Sequence, residues 1–100
     1  MRILSWNCRG LSTSSAISNL RNIAQSQQPD ILFLSETLSK APVMERIRVS
    51  LKFHSCLSVD VEGRSGGLSV MWRDTIRCRV MNYSRNFINL IVKEKEEDEE

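Results

Sequence analysis

The period of apolar and polar positions changes several times along the chain. Residues 2–7, Arg-Ile-Leu-Ser-Trp-Asn, alternate, with Leu4 and Trp6 on one side of a strand and Ile3, Ser5 and Asn7 on the other. Ala16, Ile17, Leu20, Ile23 and Ala24 then recur at helical spacing. Ser12, Thr13 or Ser14 can cap that helix, and Gln28 before Pro29 ends it. Residues 30–35 contain Ile-Leu-Phe-Leu, an apolar run without alternation. Such a run predicts a central strand covered on both faces. Strand, helix, strand in this length is a crossover unit, so the two strands run parallel.

The remainder reads as a second helix and four strands. Pro42 suits the first turn of a helix over 43–51, with Val43, Ile47 and Leu51 on one face. Phe53 to Val59 predicts a third strand. Residues 60–67, which include Arg64-Ser-Gly-Gly67, form a loop. Leu68, Val70 and Trp72 alternate against Ser69, Met71 and Arg73; Ile76, Cys78 and Val80 alternate against Arg77, Arg79 and Met81. Phe87 to Val92 is the last strand. The expectation is a crossover unit leading into an antiparallel meander.

Parallel strands end on the same sheet edge, where open α/β sheets bind ligands. Asn7 and Glu36 close the first two strands and should face one site there. A carboxylate is a hard oxygen donor, and Mg²⁺ commonly takes one or two carboxylates together with water and substrate phosphate. An asparagine amide can donate to a phosphate oxygen. Spacing alone favours Glu36 as a cap of the following loop and Asn7 as the start of a turn, and leaves Arg9 equally a solvated side chain. The tryptophans read as core rather than base-stacking residues. Ser5 and Ser35 have no base in reach.

Charge is asymmetric. The net charge is +2, but residues 93–100 hold two bases and six acids, which leaves 12 bases and six acids, a charge of +6, in residues 1–92. A basic body is compatible with a nucleic-acid partner, but charge alone favours a solvated surface. The acidic end reads as a solvated run outside the folded part. No apolar stretch approaches the ~20 residues of a membrane span. Met1-Arg2 leads directly into a strand, which points to an intracellular protein. Cys8, Cys56 and Cys78 are odd in number and widely spaced, and His54 is the one histidine. Neither a disulfide, within the chain or to a partner, nor a zinc site is expected.

Met1-Arg-Ile-Leu-Ser-Trp-Asn-Cys-Arg-Gly-Leu11, Pro29-Asp-Ile-Leu-Phe-Leu-Ser-Glu-Thr37 and Ser65-Gly-Gly-Leu-Ser-Val-Met-Trp72 together resemble the endonuclease/exonuclease/phosphatase superfamily. The likeness is to the apurinic-type endonuclease domain of plant non-LTR retrotransposons, and it spans residues 1–92, with the acidic run at 93–100 outside. It implies a four-layer α/β sandwich, of which this chain supplies the N-terminal part, with about six strands and two helices. It also implies cleavage of DNA phosphodiesters with Mg²⁺ or Mn²⁺ as cofactor, and hence a nuclear setting. Glu36 matches the family's metal ligand, and Asn7 its first active-site asparagine, beside the metal and the scissile phosphate. Arg9, near the same edge, is placed to bind a backbone phosphate.

The family's acid/base histidine and its partner aspartate have no match in the chain. His54 and Tyr83 lie outside the family's motifs for those residue types. A truncated endonuclease domain with little or no activity of its own is therefore expected, with a non-catalytic nucleic-acid-binding module as the alternative. An exposed sheet edge at 87–92 would favour self-association.

Overall fold

A computed structural model describes residues 1–95. Its elements are β1 (Ile3–Asn7), α1 (Ser14–Gln27), β2 (Ile31–Ser35), α2 (Ala41–Leu51), β3 (Ser55–Val59), β4 (Leu68–Trp72), β5 (Ile76–Ser84) and β6 (Phe87–Glu94). The first four strands form one sheet in the order β1-β2-β4-β3, and β5 and β6 form a second, two-stranded sheet. β1 and β2 are parallel, with Asn7 opposite Ser35. β4 runs antiparallel to both β2 and β3.

Both helices pack on one face of the four-stranded sheet. Leu20 and Ala24 of α1, and Met44, Ile47 and Leu51 of α2, bury against Leu32, Leu34 and Met71, with Leu4 and Trp6 packed at the margin. The opposite face is covered by the β5–β6 hairpin. There Ile31, Phe33, Val70 and Trp72 meet Ile76, Cys78, Ile88, Leu90 and Val92. The chain therefore stacks three layers: helices, sheet, hairpin. The unbroken apolar run of β2 follows from this, since Ile31 faces the hairpin while Leu32 and Leu34 face the helices.

Local chemistry sets the boundaries. The Thr13 hydroxyl accepts from the Ala16 N–H at 3.1 Å and caps α1. Gln28 closes that helix in the left-handed region, its N–H donating to the Ala24 carbonyl. Lys40 at the start of α2 makes no side-chain cap bond. The Asp60 carboxylate does it instead, accepting from the Ala41 N–H at 2.8 Å.

Three expectations need correction. The strands after β2 are not a meander: β4 inserts between β2 and β3, and β5 crosses to the other face without pairing with β4. Asp30 and Pro29 hold that crossing. The Arg73 N–H donates to the Asp30 carbonyl, and the Arg73 side chain to the Pro29 carbonyl. The third strand begins at Ser55 rather than Phe53, whose ring is buried in the helix-side core. The last strand runs two residues past Val92, with Lys93 opposite Arg77 and Glu94 opposite Ile76. Glu94 also holds the N-terminal amine at 2.8 Å. The rest of the expected acidic run, residues 96–100, lies outside the described residues.

No described helix is long and apolar enough to cross a membrane. The three cysteines are free.

Candidate functional site

Beyond β1 and β2 the two chains stay zipped together. The Cys8 N–H donates to the Ser35 carbonyl, Gly10 to Glu36, and Leu11 to Thr37, at 2.8 to 3.1 Å. The pairing carries Asn7 and Glu36 to the same edge of the sheet. Asn7 is exposed, and its Oδ1 accepts from the Arg9 N–H at 3.1 Å. The asparagine thus does form the turn that spacing allowed, while its Nδ2 stays available to donate outward.

Glu36 is the more unusual residue. Its φ is +50°, a region that non-glycine residues seldom occupy. Among the described residues its exposed carboxylate makes no hydrogen bond or ion pair. A strained backbone under a side chain that satisfies nothing locally marks a functional candidate.

Gly66 and Gly67 hold the strain in place. The Thr37 N–H donates to the Gly67 carbonyl and the Leu38 N–H to the Gly66 carbonyl, both at 3.1 Å. Gly67 has φ +89°, and a Cβ there would collide with the Thr37 hydroxyl. Thr37 is fully buried, with its hydroxyl oxygen unpartnered. The glycine pair therefore serves the loop bearing Glu36 as much as its own turn. The sequence alone places Gly66 and Gly67 in the 60–67 loop and carries no sign of Thr37. The signal was present in the need for close backbone approach that a Gly-Gly pair announces, but the partner was thirty residues away.

Two small depressions flank Glu36. One, of about 270 Å³, is lined by Arg9, Arg64 and Leu38 as well as Glu36. The other, of about 250 Å³, is lined by Glu36 with Asp60, Glu62, Arg85 and Asn86. In the second, Asp60 is committed to the α2 cap and Glu62 to Arg85 at 2.9 Å, so Glu36 is the carboxylate left without a partner. Arg9 and Glu36 share a depression, and Asn7 stands beside them on the sheet edge with its side chain folded back over its own turn.

The other chemically able groups lie elsewhere or are disabled. Burial pushes the Cys8 thiol up to about 11, so it stays protonated at neutral pH. His54 is exposed at the far edge of the sheet, next to Trp72 in β3–β4 pairing, with Nδ1 assigned as acceptor from the Asp74 N–H at 3.1 Å. Tyr83 is exposed on the hairpin.

These features define an α/β protein with a polar site at the carboxyl ends of two parallel strands. The family model for the endonuclease/exonuclease/phosphatase family matches residues 4–99, and the chain belongs to that family. No curated protein matches the sequence closely enough to count as a relative. Six strands in two sheets and two helices agree with the N-terminal part of the family's sandwich. The chain is thus a nuclease- or phosphodiesterase-type domain, of a family that generally depends on a divalent metal.

The donor set fits such a metal only as an open site. Among the described residues no three His, Cys, Asp or Glu side chains converge on one point. Among the described residues, Glu36 alone offers an unengaged carboxylate. One carboxylate suffices for Mg²⁺ when water and a substrate phosphate complete the shell.

Proposed function

We propose that this chain carries the metal- and phosphate-side half of a phosphodiesterase site of the DNA-nicking, retrotransposon type, with little or no activity by itself. The observation that carries this reading is the partnerless Glu36 carboxylate, held on a left-handed backbone beside Asn7. Glu36 would hold Mg²⁺ or Mn²⁺, with Asn7 Oδ1 able to accept from its water. A divalent cation held there would supply Lewis-acid polarisation of a phosphoryl oxygen. The Asn7 Nδ2 donates to a phosphate oxygen. The Arg9 guanidinium, in the same depression as Glu36, offers a planar fork to a neighbouring phosphate.

Among the described residues, the proton-handling half has no counterpart at this edge. The chain has one histidine, and His54 stands at the opposite edge of the sheet. Acid/base groups typically supply ~10²–10⁴-fold of rate, which supports weak or absent turnover. A second reading, a nucleic-acid-binding module without catalysis, is favoured by the +6 charge of residues 1–92.

The test is a Mg²⁺ and Mn²⁺ titration followed by backbone NMR, with Glu36→Gln as control. Shift changes centred on residues 7–10 and 36–38, absent in the variant, are expected. A titration that moves no resonance there removes the metal role. Divalent-metal-dependent nicking of plasmid DNA, lost in Glu36→Gln, would show instead that the chain is an enzyme in its own right.

A further inference from the structure

The β5–β6 hairpin has two outer edges, and they are built differently. Glu94 near the end of β6 holds the Met1 amine at 2.8 Å, whereas Ile76 and Cys78 of β5 line one cavity with Ser55 of β3. β6 therefore lies on the β1 side of the hairpin and β5 on the β3 side. β5 carries a bulge between Val80 and Asn82, and Arg77 and Arg79 alternate along it. Bulges and edge charges discourage a further strand from pairing. β6 has neither over Phe87–Val92, a run without charge, proline or glycine. Among the described residues β6 pairs with β5 alone, so its other edge presents unpaired N–H and C=O groups.

The layer over the four-stranded sheet also stops short on that side. Ile3 stands opposite Ile31 in the β1–β2 pairing and shares its face, the one the hairpin covers. Ile31 is buried, yet Ile3 is 60% exposed. A strand added to the free edge of β6 would lie over β1 and cover Ile3.

The pattern of β6 decides which strand fits. Ile88, Leu90 and Val92 face the sheet, and Phe87, Asn89, Ile91 and Lys93 face away and are exposed. The inward row is apolar read in either direction, so a second β6 run antiparallel is its own complement. With Leu90 opposite the partner's Leu90, both faces stay in register. Ile88 then meets the partner's Val92, and Asn89 the partner's Ile91. Phe87 meets the partner's Lys93, an aromatic ring beside a cation. Arg85 and the partner's Lys95 fall outside the paired strands, and Arg85 is held by Glu62 at 2.9 Å. Centred on Ile91, the pairing would set Ile88 against the partner's Glu94; centred on Asn89, it would set Lys93 against the partner's Arg85. We propose that β6 pairs with β6 of a second copy of this chain, in a two-fold antiparallel dimer centred on Leu90. The two hairpins then form one four-stranded sheet, and the contact closes on itself. Arg85 and Asn86, in the hairpin turn, line a depression with Glu36. The antiparallel pairing therefore puts the two Glu36 edges at opposite ends of the dimer.

The test is sedimentation equilibrium of the full chain, in chelator, over a hundredfold range of concentration. The mass should rise from that of the 11.5 kDa chain to twice that value and no further. Ile91→Lys places a charge on the exposed edge and should move dimerisation to at least tenfold higher concentration, with circular dichroism confirming an unaltered fold. Disulfide trapping reads the register separately. Opposite residues of antiparallel strands have Cβ atoms ~4.5–5.5 Å apart. Asn89→Cys mixed with Ile91→Cys should therefore cross-link in several times the yield of either variant alone, or of the wild type with its three free cysteines. A monomer at every concentration overturns the proposal and leaves the edge to a strand of another sequence. Growth beyond the dimer also overturns it, as does a folded Ile91→Lys protein that associates like the wild type. Cross-linking of either single variant to the same yield as the mixture overturns the register. Glu36→Gln should dimerise as the wild type does, so this proposal and the metal reading fail separately.

Discussion

At the scale of single residues, the decisive contact is between Gly67 and Thr37. A methyl group on Gly67 would both strain a φ of +89° and strike the Thr37 hydroxyl. Backbone strain of this kind costs ~1–3 kcal/mol. Gly67→Ala is accordingly expected to lose about 2 kcal/mol in urea unfolding, and to blunt the response of Glu36 to Mg²⁺. An unchanged midpoint would mean that the loop yields freely and that the clamp is not one. Asn7 and Glu36 were legible in the sequence because each ends an apolar run. Their position on one edge followed from the parallel pairing alone. What held Glu36 in place was not legible, because the Thr37–Gly67 contact depends on β4 inserting beside β2. No local pattern reports which strand is a neighbour.

The same division appears among whole elements. The helix and strand periods announced all eight elements, and the apolar run of β2 announced two covered faces. The covering layers were less evident. Met44, fully buried on α2, escaped a reading that took Val43, Ile47 and Leu51 as the buried stripe; the core face is Met44, Ile47 and Leu51, with Val43 only partly buried at its margin. Sequence pattern also left α2 without a cap, since Lys40 is a poor one. Asp60 supplies it from the loop after β3, nineteen residues on. Removing a side-chain cap typically costs ~1 kcal/mol. Asp60→Ala should lower stability by about that amount and raise amide exchange in the first turn of α2, while leaving α1 as it was. Exchange that rises equally in both helices would indicate general loosening rather than loss of a cap.

For the molecule as a whole, Asp30 is the joint between layers. Its Oδ2 accepts from the Arg2 N–H at 2.8 Å, at the start of β1, and its Oδ1 from the Thr75 hydroxyl at 3.2 Å, in the turn that sends β5 across the sheet. The Arg2 N–H holds the carboxyl below its usual range, with the Thr75 hydroxyl and the nearby N-terminal amine and Arg73 assisting. A carboxyl depressed in the folded state adds stability above its unfolded pKa of ~3.9, and that stability is lost as pH falls further, through the folded value. Wild-type stability should therefore decline below about pH 4. Asp30→Asn keeps an acceptor but not the charge, and should cost about 1 kcal/mol at pH 7. The two proteins should converge in acid, where the wild-type carboxyl is also neutral. Urea midpoints measured from pH 7 to pH 2 test this directly. Parallel curves would assign the acid sensitivity to other groups. Convergence, with loss of protection first in β5 and β6, would show that the hairpin is docked through this carboxylate and that its release exposes the face of β2 carrying Ile31 and Phe33.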